Sequence, residues 1–340
     1  MNRVFEEDIK EFSKTFALAG DLRDSIFLIT GATGLIGSTL IHCLFSLNQN
    51  IKIIAPVRNI IKAKEKLGEY RQLQLINCDL ETFNYSSIGK VDYVVHCAAP
   101  TSSKFFVQHP VETFHSICRI SERILDYSKE SDIKSMVYLS SLEVYGQILD
   151  DSKPITEDVQ GYIDPLDVRS SYPMAKRAVE NLCCLYCHEY GVPVKIARLT
   201  QTTGAGCDNN DNRVIVQFTR LAAKGEDIVL RTTGESARPY CYTTDAVSAL
   251  LYILLNGNSG QAYNVANEDT YISAKDLAYL VRRTINPSIT VQFVISDNYG
   301  YAPVTKQRLS STKLNKIGWK SSFNIKKIIL QLSRYLNCDI

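Results

Sequence analysis

Short apolar runs alternate with amphipathic stretches through the first two hundred residues. Runs of β-branched and other apolar residues predict strands at Ile26–Thr30, Ile51–Val57, Leu73–Asn77, Tyr93–Cys97, Met136–Ser140 and Val194–Leu199, and most of the segments between them have helical periodicity. Strand and helix alternating at this interval predict an α/β fold, a doubly wound parallel sheet, because parallel neighbours need a crossover connection that a helix supplies. A short helix over Phe5–Phe16 leads in. From about Gly204 the alternation breaks down: the turn-rich patches CDNNDN and TTGESARP are followed by further helices. The predicted organisation is a helical lead-in over 1–24, a sheet domain over 25–203, and a smaller lobe over 204–340 with segments returning to the sheet domain. In such sheets ligands lie at the carboxyl ends of the strands, so the lobe is expected to form the second wall of a cleft.

Composition narrows the function classes. The 340 residues are 45% hydrophobic and 22% charged, as in a folded globular chain of one or two domains. Lys and Arg number 38 against 36 Asp and Glu, a net charge of +2. Bulk charge therefore suggests neither a nucleic-acid partner nor an anionic membrane, and an anionic ligand must be met by local arginines. The start MNRVFEEDIKEF lacks an apolar secretory core, and no run of about 18 apolar residues occurs, which predicts a cytoplasmic protein.

Ten cysteines fall at irregular spacing, several of them (Cys43, Cys97, Cys118, Cys241) inside apolar segments, so reduced, buried thiols are expected. Cys184, Cys187 and His188, with Cys183 beside them, spell a CxxCH string of the kind that can attach haem or help to bind a metal. It lies in a strongly helical run without a second ligand pair, and no metal site is expected.

After the strand SIFLIT comes Gly31-Ala-Thr-Gly34-Leu-Ile-Gly37 and then the apolar helix STLIHCLFSL. Glycines permit the tight turn and let backbone N–H groups approach a pyrophosphate on the positive end of the helix. With a strand before, a helix after and a second strand about 20 residues on, the loop predicts dinucleotide binding and a Rossmann domain. The second strand ends Ala55-Pro-Val57-Arg58-Asn59, without the ribose-binding carboxylate. An arginine there can hold a 2′-phosphate, so the cofactor is expected to be NAD(P), with NADP favoured. Asp79 in NCDL is placed to accept from the adenine amino group.

Tyr172-Pro-Met-Ala-Lys176 puts a phenol and an ammonium four residues apart, on one face of a helix. A neighbouring cation favours the phenolate, and oxidised nicotinamide would add a second positive charge, so Tyr172 is expected to take a proton from a sugar hydroxyl as hydride leaves its carbon. Upstream, the strand MVYLS runs into Ser140-Ser141-Leu142-Glu143-Val144-Tyr145-Gly146. Ser141 is placed to share the reacting hydroxyl.

These features together resemble the extended short-chain dehydrogenase/reductase family, in its NAD-dependent epimerase/dehydratase branch acting on nucleotide sugars. The likeness covers nearly the whole chain: GATGLIG, CDL at 78–80, HCAAP at 96–100, SSLEVYG at 140–146, YPMAK at 172–176, ARPYCYTTDAV at 237–247, GQAYNVAN at 260–267 and IGW at 317–319. It implies a catalytic set of Ser141, Tyr172 and Lys176, joined by Glu143, with Lys176 also holding the nicotinamide ribose. It implies cofactor contacts at Gly31, Thr33, Gly34, Leu35, Ile36, Gly37, Arg58, Asp79, Leu80, Cys97, Ala98 and Ala99. Substrate contacts are implied at Pro100, Thr101, Gln201, Arg213, Val214, Arg238 and Arg308, and a homodimer through a four-helix interface.

HCAAPTSS with its following Pro110, DNRVIVQF at 211–218 and Glu143 look most like UDP-glucuronate decarboxylases. Ile117 and Gln201 stand where the family commonly has asparagine. A dTDP-glucose 4,6-dehydratase resembles the chain at EVYG but carries an aspartic acid where this chain has Leu142, and an aliphatic side chain can neither donate nor accept a proton. The expected activity is therefore formation of a transient 4-keto sugar followed by decarboxylation or epimerisation. A dehydratase or an NADPH-dependent 4-keto-sugar reductase is the rival within the class, and a non-catalytic dinucleotide sensor or scaffold the rival outside it. Tyr240 and Tyr242 are expected to pack in the core.

Overall fold

A computed structural model describes residues 2–208, 210–295 and 304–337. The predicted strands are all present, with ends within one residue of expectation: β1 (Ile26–Thr30), β2 (Lys52–Val57), β3 (Leu73–Asn77), β4 (Tyr93–His96), β5 (Ser135–Ser141) and β6 (Val194–Leu199). Six further strands follow: β7 (Gln201–Thr203), β8 (Ile228–Leu230), β9 (Ala237–Tyr242), β10 (Ala262–Val265), β11 (Asn267–Ser273) and β12 (Val291–Phe293).

The main sheet has seven strands in the order β10-β6-β5-β4-β1-β2-β3, all parallel. The order reverses between β1 and β4, the switch point at which doubly wound sheets form a ligand crevice. Parallel strands are buried on both faces, which is why β1, β4 and β5 read as apolar runs rather than as alternation.

On one face pack α1 (Arg3–Thr15), α2 (Leu35–Ser46) and α3 (Ile60–Leu67), together with a later helix over Thr243–Asn256. The opposite face is covered by the long helices Pro110–Glu130 and Ser171–Tyr190, which pack on each other after the short α4 (Ser103–Gln108). We label the longer ones α5 (Pro110–Glu130) and α6 (Ser171–Tyr190). Pro110 at the first turn of α5 lacks only an N–H that would have had no helical partner, and Gly191 ends α6 in the left-handed conformation.

The lead-in is more than an appendage. Val4, Phe5, Ile9, Phe12 and Phe16 enter the main core. Asp8 accepts hydrogen bonds from the Tyr242 hydroxyl (2.5 Å) and the Gln331 amide (2.8 Å). Helix α1 thereby ties the sheet domain to the C-terminal lobe. Burial pushes the Asp8 carboxyl up to about 6, against the two hydrogen bonds that pull it down.

The C-terminal lobe has its own core around the helices Val214–Lys224, Ala274–Ile285 and Ile325–Asn337. The chain crosses between the two units more often than the boundary near Gly204 suggests. Strand β7 pairs with β9 in a three-stranded sheet with β11, whereas β10 joins the main sheet as its edge and Thr243–Asn256 packs on that sheet. Asn209 of the CDNNDN patch, residues 296–303 and residues 338–340 lie outside the described residues.

Candidate active site

The glycine loop lies where β1 meets α2, against the end of β4. Gly31 has φ +67°, and a Cβ there would come within 2.8 Å of the Ala98 nitrogen. A Cβ on Gly37 would lie 2.3 Å from the Gly31 carbonyl oxygen. Gly34 is the N-cap of α2 and offers no side-chain partner to the first-turn N–H groups, which are left for an outside acceptor. A bare helix start reached only across hydrogen-sized residues fits a dinucleotide pyrophosphate.

A buried chain of hydrogen bonds holds this floor. The Ala98 N–H donates to Thr30 Oγ1 (3.3 Å), Thr30 Oγ1 meets His96 Nδ1 (2.7 Å), and His96 Nε2 meets Ser121 Oγ (3.0 Å). Ser121 uses its one proton on the Ile117 carbonyl (2.6 Å). It must therefore accept from Nε2–H, which leaves Nδ1 as the acceptor for the Thr30 hydroxyl. Burial and the nearby Lys176 charge push His96 down to about 3, so the ring stays neutral. Thr30 and Ala98 flank the glycine loop, and the imidazole locks them together. Its position in HCAAP was legible in the sequence; its bonding was not.

Tyr172 and Lys176 lie on α6, facing β5. The Lys176 Nζ donates to the Leu139 carbonyl (2.7 Å), lies 4.7 Å from the centre of the Tyr138 ring and 5.8 Å from that of Tyr172. Burial pulls its ionisation down to about 8, partly offset by Glu180 and by the thiols of Cys97, Cys183 and Cys118. The Ser141 hydroxyl neighbours the Tyr172 phenol and accepts from the Glu143 N–H (3.2 Å). The path from the glycine loop to the phenol thus runs through Ala98, Cys97 and Lys176.

Burial pushes the Tyr172 phenol's ionisation up, the Glu143 charge pushes it further, and the neighbouring Ser141 hydroxyl pulls it down. The Phe106 ring stacked on Tyr172 accounts for part of that burial.

Glu143 is half-buried on the short 3-10 turn Leu142–Tyr145. Leu142 is buried beside Tyr145, Ile155 and Leu309, filling an apolar slot. Behind the turn stands a network that sequence reasoning missed. Arg198 and Glu180 form a buried ion pair at 2.7 Å, Ser140 donates to Glu180 (2.5 Å), and Arg198 donates to the Tyr145 hydroxyl (2.9 Å). The one available signal was that Glu180 follows Lys176 by four residues and shares its helix face.

The remaining predicted contacts divide. Arg58 is exposed at the end of β2, and Asp79 is exposed with its carboxylate accepting from the Glu81 N–H (2.8 Å). Leu80, Cys97, Ala98, Ala99 and Pro100 are half-buried along the strand ends, and Thr101 is exposed. Gln201 lies on β7 opposite Tyr240. Arg213 is turned inward onto Asp211 and the Thr202 carbonyl, so its guanidinium is already engaged; Val214 is partly exposed at the start of the following helix.

Arg238 donates to Thr305 Oγ1 (3.2 Å), and Arg308 is exposed. Tyr240 and Tyr242 are buried, the latter stacked on Phe323. Cys183 is buried, while Cys184 is exposed and Cys97 and Cys118 are only half-buried; among the described residues no group of three or more His, Cys, Asp or Glu is arranged to hold a metal. No described helix is long and apolar enough to cross a membrane.

Comparison with known proteins agrees with this architecture. UDP-glucuronic acid decarboxylase 3 of Arabidopsis thaliana is 29% identical over 303 residues, covering 88% of this chain and 85% of the relative. Among solved structures, UDP-glucuronic acid 4-epimerase from Bacillus cereus, in complex with UDP-glucuronic acid and NAD, superposes with a TM-score of 0.78 at 18% identity, covering 92% of this chain and 99% of that one. UDP-N-acetylglucosamine 4-epimerase from Methanobrevibacter ruminantium, in complex with UDP-N-acetylmuramic acid, gives 0.79 at 23% identity, with 93% and 98% covered. Residues 27–266 match the family described as the NAD dependent epimerase/dehydratase family, and the chain belongs to it.

Proposed function

We propose that this protein oxidises a nucleotide sugar transiently to a 4-keto sugar and completes the reaction by decarboxylation or epimerisation. Bound NAD(P) would supply the hydride acceptor and return the hydride. Tyr172 takes the proton of the reacting hydroxyl, and Ser141, beside the phenol, shares that hydroxyl. Lys176, as a cation beneath them, stabilises the charge left behind. Glu143, two residues after Ser141 and near enough for its charge to act on the Tyr172 phenol, is the group available to move a second proton.

The relation that carries this reading is the gathering of Ser141, Tyr172 and Lys176 at the strand edge where Lys176 and Cys97 adjoin the glycine loop. Likeness to decarboxylases over most of the chain favours loss of carbon dioxide, for which the 4-ketone is the electron sink and an arginine, Arg238 or Arg308, the clamp for the sugar carboxylate or diphosphate. Leu142, packed in its apolar slot, disfavours dehydration by an acid at that position.

Incubation with a panel of UDP-, dTDP-, GDP- and CDP-sugars, read by product mass, tests the reading. Loss of carbon dioxide, or unchanged mass with altered retention, supports it. Loss of water, net gain of two hydrogens with consumption of NADPH, or no product from any sugar refutes it.

Two finer points belong to the same reading. Arg58, exposed at the end of β2 where an acid would select NAD, favours NADP; equal affinity for the two dinucleotides in wild type and Arg58→Ala would contradict this. The protein is expected to act in the cytoplasm as a homodimer built on α5 and α6, which expose Val111, Phe114 and Leu185. A monomer in sedimentation would rule that out.

A further inference from the structure

Residues 304–311 form an extended strap between the two units of the molecule. Its backbone bonds Ala237 of β9 on one side, through the Ala237 N–H to the Thr305 carbonyl and the Gln307 N–H to the Ala237 carbonyl, both 2.9 Å. On the other side it bonds the stretch after the Glu143 turn: the Lys306 N–H donates to the Ile148 carbonyl (2.7 Å) and the Ile155 N–H to the Arg308 carbonyl (2.6 Å).

Gln307 is buried in this strap, 2% exposed. Its Nε2 donates to both ends of the Glu143 turn, to the Gly146 carbonyl at 3.0 Å and the Leu142 carbonyl at 3.3 Å. Two acceptors on one side fix the amide: only its NH2 group can face them. The Oε1 atom is consequently turned away and has no partner among the described residues. The bridge pairing Ala237 with Lys306 is parallel, so Arg238 and Gln307 project to the same face, and Arg238 Nε is likewise buried without a partner. Arg308, next along the strap, is exposed.

We propose that Gln307 is a positioning residue that pins the Leu142–Gly146 turn, and with it Glu143, to the strap carrying Arg308 and bonded to Arg238. The assignment rests on the nucleotide-sugar reading above for its functional consequence, though the pinning itself does not. Glu143 sits on a four-residue turn held locally by the Ser141 cap and by the Gly146 N–H on the Glu143 carbonyl (3.0 Å), and from α6 by Arg177 on the Val144 carbonyl (2.7 Å); the two Gln307 bonds, beside the packing of Leu142 on Leu309, tie it to the strap. An anion held by the strap arginines would then steady the turn before chemistry, because strap and turn move as one piece. A glutamine beside an arginine has no spacing signature, so this tie is visible only in three dimensions.

Gln307→Met keeps the volume and removes the donor. In the nucleotide-free protein, amide hydrogen exchange at residues 143–147 should speed up about tenfold, the loss of a pair of modest hydrogen bonds, with exchange in β1 and β5 unchanged. With the nucleotide sugar that wild type turns over, kcat should fall about 10- to 100-fold while KM stays within about twofold, as for a displaced catalytic group rather than a lost binding contact. Gln307→Glu, which turns a carboxylate onto two carbonyl oxygens, should act in the same direction and more strongly.

Unchanged exchange at 143–147 in folded Gln307→Met, a kinetic loss confined to KM, or global unfolding of both variants would overturn the assignment. Wild type that turns over no nucleotide sugar overturns the functional reading instead, and the exchange measurement still decides whether Gln307 pins the turn.

Discussion

The rings of Phe106 and Tyr172 lie face to face, 4.3 Å between centroids and 10° from parallel. Phe106 belongs to α4, which follows directly on the Pro100–Thr101 loop, and its carbonyl accepts from the Ser171 hydroxyl (3.4 Å) at the start of α6. One side chain therefore orients the phenol, keeps water from its ring face and joins it to the predicted substrate loop. Offset and stacked aromatic pairs contribute about 0.5–1.5 kcal/mol beyond the area they bury.

Removing that ring should make Tyr172 easier to ionise. Phe106→Ala is expected to bring the phenol down toward the ordinary value of about 10, since burial is the main cause of its elevation. Titration of protein carrying carbon-13 at the tyrosine Cζ, with Tyr172→Phe used to assign the resonance, checks this. An unchanged Tyr172 titration would mean that the Glu143 charge, and not the ring, dominates.

Gly37 leaves no room for a side chain at the start of α2. A methyl there would sit against the Gly31 carbonyl, so Gly37→Ala has to push helix and loop apart, at a cost of about 1–3 kcal/mol of stability. Dinucleotide affinity should fall at least about tenfold, because the α2 N–H groups retreat from the pyrophosphate. Isothermal titration with NAD and NADP measures the second effect and urea unfolding the first. Retained affinity in a folded variant would contradict the placement of the cofactor on this loop.

The main sheet and the glycine loop were legible in the sequence because each depends on local signals. Apolar strands such as Ile26–Thr30 and glycines at fixed offsets carry their meaning within a few residues. Strand β10, by contrast, is a four-residue run whose place at the sheet edge is decided by pairing with β6, sixty-odd residues upstream. Arg213 fits a sequence motif, but its pairing with Asp211, two residues away, is visible only in the folded chain. The acid–base pair was visible as a spacing, but the direction of the phenol's shift was not, since burial by Phe106 and repulsion by Glu143 arise only in three dimensions.

Asp8 gives the lead-in helix a pH signature. Its carboxyl ionises at about 6 in the folded chain against 3.8 ordinarily. The folded state therefore holds the proton more tightly, and stability is lost as pH rises from about 4 through 6. Between pH 4.5 and 7.5 the penalty grows by about 2 kcal/mol. Asp8→Asn cannot titrate, so the stability of wild type relative to this variant should fall by that amount across the interval in urea unfolding. A difference independent of pH would show that Asp8 ionises in the folded chain as it does in water.

The account turns on Tyr172 as the proton acceptor for a sugar hydroxyl. The most direct measurement is single-turnover mixing of Tyr172→Phe with a nucleotide hexuronate and cofactor, beside wild type, following reduced-nicotinamide absorbance and product mass. Wild type should release a product lighter by one carbon dioxide, or its epimer. The variant should bind both ligands with unchanged affinity and react about 10²- to 10⁴-fold more slowly, the usual worth of a positioned acid–base group. A variant that binds both and turns over at the wild-type rate would contradict the claim.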